Sequence, residues 1–304
     1  YTTAADQGKA NEVSRFVQQM QAELHVAKPE TVMIPVQLTP GKEITLEKTP
    51  EILQRLSNYV KKKEEDSYAK SFSASALSMY LDCRLRFYFR YVAGLKEKEE
   101  VVSEIDPMTF GTLLHSALEF LYEVEEGKSH RDIDSHTIDR LLPQVPEAVD
   151  KAIRKFYKKE AGEEFELSGQ LVIAREVFIK YVKEILSYDQ KNGSFKVIGL
   201  EKEYQAGIPV ETAQGRVEIA LKGVIDRMDI KDGVVRLLDY KTGKDNKTVR
   251  SIASLFDRED DKRNKAAMQT LLYAYFYQYE HRANQLPLKP GIFNIKEIYN
   301  PQFS

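Results

Sequence analysis

The sequence predicts an α/β chain, helical in its earlier part and sheet-forming later, and three observations carry that prediction. From Ser71 to about residue 193, apolar residues recur at three- and four-residue spacing. The period then changes to alternation rich in β-branched residues, in two runs that flank the Asp232-Gly233 pair. A further helical stretch and one more strand-like run close the chain.

Residues 1–70 read as a linker or arm. "EVSRFVQQMQAELHVA" has the spacing of a short amphipathic helix, and Pro29, Pro35, Pro40 and Pro50 punctuate an extended stretch after it. Residues 71–304 form the main domain, helical over about 71–193 and sheet-forming over about 194–304. "SASALSMYLDCRLRFYFRYVAGL" begins with serine caps and repeats helically through Leu77, Tyr80, Leu81, Leu85 and Tyr88. A second helix starts near Pro107 and ends before Gly127, and "QVPEAVDKAIRKFYKKE" and "LVIAREVFIKYVKEILSYDQKNG" supply two more. Strands follow in "FKVIGLEKEYQAGIPV", "RVEIALKGVIDRMDI" and "GVVRLLDYKT". "NKAAMQTLLYAYFYQYEHR" returns to a helix by its alanines and its length, and "LKPGIFNIKEIY" is the last strand.

Bulk composition narrows the function. Acids and bases nearly cancel at a formal charge of -2, which excludes a histone-like polycation but not an enzyme with a locally basic cleft. The single cysteine, Cys83, excludes a disulfide framework, a Cys-rich zinc site and a four-cysteine cluster within this chain. No apolar run reaches the length of a membrane span and no signal peptide opens the chain, so a reduced, cytoplasmic setting without membrane contact is expected. The opening residue is Tyr1, and the expectation is a fragment of a longer protein.

The hairpin poses the chemical question. An Asp-Gly pair between two strand-like runs favours a two-residue type I′ turn. With Asp232-Gly233 as the loop, Lys231 faces Val234, and counting outward sets Asp226 opposite Asp239, with Cβ atoms roughly 4.5–5.5 Å apart. Lys241 projects from the same face as Asp239. Two like charges so placed destabilise a sheet unless a positive charge lies between them. Either the group is a solvated salt-bridge cluster, or the carboxylates hold a hard divalent cation such as Mg²⁺.

Asp226 followed by Asp239-Tyr240-Lys241 resembles the catalytic core of the PD-(D/E)xK nuclease superfamily, and within it the nuclease domains of RecB- and AddB-type helicase-nucleases. "GVIDRMD" is similar to that group's G-x-x-D-R-x-D element and "LLDYKTGK" to its D-Y-K-T-G element. "GTLLHSALE" resembles its G-x-x-x-H helix, "QTLLY" its Q-x-x-x-Y motif, and "GLEKEY" the strand before the hairpin. "SASALSMYLDCRLRFYFRYVAGL" resembles the helix that opens the domain. Some members carry an iron–sulfur cluster, but here Cys83 is followed by Arg84 and the other three cysteines are absent, so no iron–sulfur cluster is expected.

The resemblance implies a restriction-endonuclease-like fold, a mixed central sheet flanked by helices with a helical N-terminal region. It implies a Mg²⁺- or Mn²⁺-dependent deoxyribonuclease, acting as an exonuclease, in a DNA repair or recombination protein. Asp226, Asp239, His115, Glu201 and the Tyr240 backbone carbonyl would hold the metal, with Glu203 as the alternative to Glu201. Lys241 would position the attacking water, and Gln269 and Tyr273 would orient the site or touch the DNA backbone. Arg84, Arg86 and Arg90, interleaved with aromatics, and Lys244, Lys247 and Arg250 after the catalytic strand, are further candidates for DNA contact, against the plainer reading of charges that face water. DNA is the expected partner, together with helicase-like domains or subunits of a longer parent protein. A non-cleaving DNA-binding or scaffold module and an RNA-directed nuclease stay open as alternatives.

Overall fold

The computed structural model describes residues 15–24, 44–60, 69–95, 107–161, 169–213, 215–243, 248–260 and 262–300. The chain divides into two units, Tyr1–Glu47 and Lys48–Ser304. In the first, α1 (Arg15–Glu23) is the short helix that the spacing predicts.

The second unit opens with a correction. Pro50 does not punctuate an extended stretch; it is the first residue of α2 (Pro50–Ser57), and the Thr49 hydroxyl caps that helix by accepting from the Ile52 N–H. Proline suits this position because the N–H it lacks would have no partner in the helix. Next come β1 (Phe72–Ser73) and α3 (Ala74–Asp82), the latter capped by Ser73. The single helix expected through this region breaks at Cys83, which is extended at φ −156° and ψ 111°. Its sulfur accepts from the Arg86 N–H and caps α4 (Arg84–Phe87), which continues as a π-helical turn, Tyr88–Val92. Ala76, Phe87 and Val92 form a small core here with Ile52, Leu56 and Phe72 around it.

The helical layer is built from α5 (Pro107–Tyr122), α6 (Ser135–Leu141), α7 (Val145–Ala161) and α8 (Gln170–Asn192). The sequence reading does not resolve α6 or the short β2 (Arg131–Ile133) before it. Leu114, Leu118, Ile153, Val182 and Ile185 of this layer pack with Phe195, Val197, Tyr240 and Phe293 of the sheet. At Gly193, φ is +87°, a conformation that glycine adopts without steric cost, and it turns the chain from α8 into the sheet.

The sheet comprises β3 (Phe195–Thr212), β4 (Gly215–Lys231), β5 (Val234–Lys241) and β6 (Leu288–Asn294), with α9 (Lys265–Glu280) crossing between the last two. The order is β2-β3-β4-β5-β6; β5–β6 is parallel, the other neighbours are antiparallel, and β1 lies parallel to β4. The sheet is therefore mixed, as the resemblance implies. Tyr273, Phe276 and Tyr277 of α9 cover the face opposite the helical layer. Among the described residues, no helix is long and apolar enough to cross a membrane.

The hairpin turn and its register agree with the sequence. Asp232 and Gly233 have φ of 50° and 74°, and Lys231 pairs with Val234. The pairing stops at Arg227–Leu238, however, one step before the two aspartates, which do not form a ladder pair. Strand β4 also slips in phase there. Leu221 and Ile225 pack in the core under α9, and so does Met228, three residues beyond Ile225, where strict alternation would send it to the other face.

Gly223 lies at the closest approach of α9 to β4. A Cβ there would stand 2.7 Å from a Phe276 ring carbon and 3.3 Å from one of Tyr273. Replacing Gly223 with alanine must push this part of α9 outward, and urea unfolding should show a loss of about 1–3 kcal/mol.

Candidate active site

Three adjacent strands each bring one carboxylate to the level at which the pairing breaks. In β3, Glu201 falls between the paired residues Leu200 and Lys202 and has φ 44°. Left-handed backbone is costly for a residue with a Cβ, and such outliers gather at functional sites. Opposite it, between the paired Ile225 and Arg227, stands Asp226 of β4. On β5, Asp239 follows the last paired residue, Leu238. The side chain of Asp226 takes over the missing rung, accepting the Tyr240 N–H at 2.7 Å through Oδ2. Asp226 is 8 % exposed and Asp239 1 %, which overturns the reading of a solvated salt-bridge cluster.

Positive charge arrives from both sides of the sheet. His115 of α5 has Nδ1 3.1 Å from Glu201 Oε1, and its Nε2 lies 3.3 Å from the Tyr240 carbonyl and 3.6 Å from Asp226 Oδ2. Both ring nitrogens thus face acceptors, which suits the doubly protonated imidazolium. Burial works against that charge but is outweighed by the Glu201 hydrogen bond, by Asp226 and by the Tyr240 carbonyl, so the His115 pKa is raised to about 9. Asp226 is pushed up to about 7, first by burial and then, against the pull of His115, by Asp239 and Glu201. Burial also raises Asp239, although Lys241 and Tyr273 oppose the shift.

On the other side a closed ring of four side chains fixes the lysine. Lys241 Nζ stands 2.8 Å from Asp239 Oδ2 and 3.0 Å from Gln269 Oε1. The Gln269 amide donates to the Tyr273 hydroxyl at 2.5 Å, and Tyr273 donates to Asp239 Oδ1 at 3.2 Å. Gln269 and Tyr273 are one turn apart on α9 and share a helix face. Their role in the structure is to orient the lysine and the aspartate.

The donors suit a hard divalent cation. His115, Glu201 and Asp226 each present a ligand atom within 4.8 Å of the others. Asp239 lies outside that trio, drawn toward Lys241 and Tyr273, yet its buried Oδ2 receives no hydrogen bond of good geometry and keeps lone pairs to offer. An oxygen-rich set with one imidazole matches Mg²⁺ or Mn²⁺ better than a thiolate-seeking metal. Glu203 is exposed and pairs with Lys222 at 3.2 Å, so of the two glutamates only Glu201 reaches His115.

Sequence reasoning missed the buried network behind the site. Arg227, wholly buried, donates to Asp189 at 2.6 Å and 3.1 Å, to Asp229 at 2.8 Å and to the Tyr240 hydroxyl at 2.9 Å. The Tyr122 hydroxyl donates to Asp189 at 2.6 Å. Tyr240 is therefore held by its side chain on one face while its N–H and carbonyl serve Asp226 and His115. "GVIDRMD" contains both Arg227 and Asp229, and a charged pair inside an apolar run is the available signal; Asp189, in the polar "YDQKNG", offers none.

The remaining candidates disperse. Lys244 and Lys247 lie outside the described residues, and Arg250 is exposed and paired with Asp260. Arg84 lies over the Tyr80 ring at 5.8 Å. Arg86 and Arg90 are exposed. A cavity of about 700 Å³ bordered by Lys128, His130, Arg131 and Arg140 includes none of the site residues in its wall.

A family model for the PD-(D/E)XK nuclease superfamily matches residues 71–302. The chain is also similar to bacterial proteins named as a subunit of an ATP-dependent helicase/deoxyribonuclease. The one from Clostridium acetobutylicum is 27% identical over 185 residues, 56% of this chain and 15% of that protein. The Ruminiclostridium cellulolyticum protein is 28% identical over 60% of this chain and 16% of its own length. That from Streptococcus uberis is 26% identical, again over 60% of this chain and 15% of its own length. The aligned part thus spans about 15% of these curated relatives.

The raised pKa values set a pH dependence with a definite sign. Asp226 and His115 both bind protons more tightly folded than unfolded, so the metal-free protein loses stability as pH rises through about 7 for the first and about 9 for the second. A cation must expel those protons and therefore binds more tightly at higher pH. Calorimetry should show the metal-free melting temperature falling between pH 6 and 9, while the increment from Mg²⁺ or Mn²⁺ grows. Asp226→Asn should flatten the metal-free profile and remove most of the increment.

Proposed function

This chain belongs to the PD-(D/E)XK nuclease superfamily, and from that premise we propose that it is a divalent-metal-dependent deoxyribonuclease domain. The observation that carries the reading is the convergence of Glu201, Asp226 and Asp239 on three adjacent strands, with His115 on one side and a restrained Lys241 on the other. Two buried carboxylates, Asp226 and Asp239, with the half-buried Glu201 beside them are expensive unless a cation makes use of them. His115, Glu201, Asp226, Asp239 and the Tyr240 carbonyl would hold Mg²⁺ or Mn²⁺. A bound cation supplies charge to a phosphate oxygen and acidity to a water molecule.

The side chains supply the rest of the chemistry. Lys241, fixed by Asp239 and Gln269, orients a water for attack on phosphorus and offsets the negative charge that develops there. Tyr273 keeps Asp239 from turning away through its hydrogen bond to Oδ1. Arg227 and Tyr122 stiffen the backbone on which Tyr240 presents its carbonyl.

DNA as the substrate rests on the names of the relatives and on the motif resemblance, and action from strand ends rests on the resemblance. On the same grounds, residues 71–304 are the nuclease domain of a longer helicase-nuclease-type protein of DNA repair or recombination.

Cleavage of end-labelled DNA and RNA of matched sequence, with Mg²⁺, Mn²⁺ or EDTA, tests this reading. Cutting should need the metal, favour DNA and produce a ladder from one end. Asp239→Ala should fall to background, and Lys241→Ala should lose at least roughly 10²–10³-fold in rate with the protein still folded by circular dichroism. Normal cutting by Asp239→Ala would refute the site.

A further inference from the structure

We propose that the groove between α3 and α9 is a binding site for the sugar–phosphate backbone of one nucleic-acid strand beside the scissile bond, with Arg86, Ser75 and Ser78 as its phosphate contacts. The proposal rests on the nuclease reading of the neighbouring site and names the path by which the substrate strand leaves it.

Position is the first argument. The groove encloses about 240 Å³, and its wall includes Ser75, Ser78, Asp82 and Arg86 from the α3–α4 segment and Lys265 and Gln269 from α9. Gln269 is the same residue that accepts from Lys241 and donates to Tyr273, so the groove begins where the ring around the catalytic lysine ends. A strand whose phosphate sits at Lys241 must continue over one side of that ring, and this groove adjoins it.

The second argument is the state of the polar groups. Ser75 and Ser78 are three residues apart on α3 and share a face of the helix. Among the described residues, neither hydroxyl nor the Arg86 guanidinium has a hydrogen-bond or ion-pair partner, whereas Asp82, Arg263 and Lys265 beside them are paired with one another. Asp82, the one acid in the wall, is held by Arg263 and by Lys265, the latter at 2.5 Å. With its charge offset twice over, the groove presents net positive potential and unused donors. Phosphate oxygens are recognised by such a set, an arginine with serine hydroxyls, and these contacts position a strand without reading its sequence.

Arg86 also separates from its two neighbours. Arg84 lies over Tyr80 and Arg90 sits on the π-helical turn, and neither borders the groove. The three arginines look equivalent in sequence, yet the break at Cys83 and the turn that follows aim only one of them along the strand path.

The test is fluorescence anisotropy of a labelled single-stranded oligonucleotide titrated with the 304-residue chain in Ca²⁺, over a series of salt concentrations, for wild type, Arg86→Ala, Ser75→Ala/Ser78→Ala, Arg84→Ala and Arg90→Ala. Arg86→Ala should weaken binding roughly tenfold, the loss of one charge-assisted contact, and reduce the salt slope by about 1. The serine pair should weaken binding less and leave the slope unchanged, and Arg84→Ala and Arg90→Ala should match wild type. In Mg²⁺, Arg86→Ala should raise KM with kcat preserved. Wild-type affinity and slope in Arg86→Ala would overturn the proposal, as would equal losses in all three arginine variants, or no binding by wild type. If wild type binds with this pattern but never cuts, the groove stands and the nuclease reading fails; if it cuts and Arg86→Ala behaves as wild type, the reverse holds.

Discussion

Like charges buried at one level of a sheet are the constraint on which the rest of this structure depends. Asp226 and Asp239, buried with the half-buried Glu201 beside them, cannot stay ionised together without positive charge within a few ångströms, because desolvation and mutual repulsion both oppose ionisation. His115 and Lys241 meet that need from opposite sides, and each requires a helix to deliver it. The helix α5 packs in the layer that carries His115, and α9 supplies the glutamine and tyrosine that fix Lys241. The broken ladder at Asp226 follows from the same requirement. A carboxylate that takes the Tyr240 N–H and also faces His115 cannot lie in a regular cross-strand pair.

Rigidity comes from the helical-layer side of the same strands. Arg227 has no exposed surface and commits its donors to Asp189, Asp229 and Tyr240, with Tyr122 completing the coordination of Asp189. Breaking a buried pair by removing one partner leaves an uncompensated charge, at a cost of about 3–5 kcal/mol. Such a network is an inefficient way to stabilise a core that leucines could fill, but it resists sliding of β4 against β5. Sliding is what the site must avoid, since Tyr240 contributes through its backbone and has no side-chain freedom with which to adjust. The close fit of Gly223 under Phe276 has the same effect on α9, holding Tyr273 at hydrogen-bond distance from Asp239.

The positive φ of Glu201 belongs to the same arrangement. A residue with a Cβ held in left-handed backbone gives up stability, and it does so where β3 must turn a carboxylate toward His115 rather than along the regular pleat. Glu203, two residues on, keeps ordinary strand geometry and ends in a solvent-facing pair with Lys222. Strain and the contact with His115 coincide at one residue, and the neighbour of identical type points elsewhere.

The sequence by itself determined the periodic elements, the type I′ turn with its register, and the family motif, because each depends on residues close together along the chain. Asp232-Gly233 needs two positive φ values, and counting outward from that loop reaches Asp226 and Asp239 with no further information. The same locality explains the misses. Cys83 as a break and cap, Pro50 as a helix start and the two short elements near residue 133 each turn on a few atoms that periodicity cannot register. Only the tertiary structure decided which glutamate faces His115, that Asp189 and Tyr122 support Arg227, and which of three arginines borders the groove beside Gln269. Those outcomes rest on contacts between residues far apart in the chain, where distance and burial, rather than residue type and spacing, set the energy of each charge.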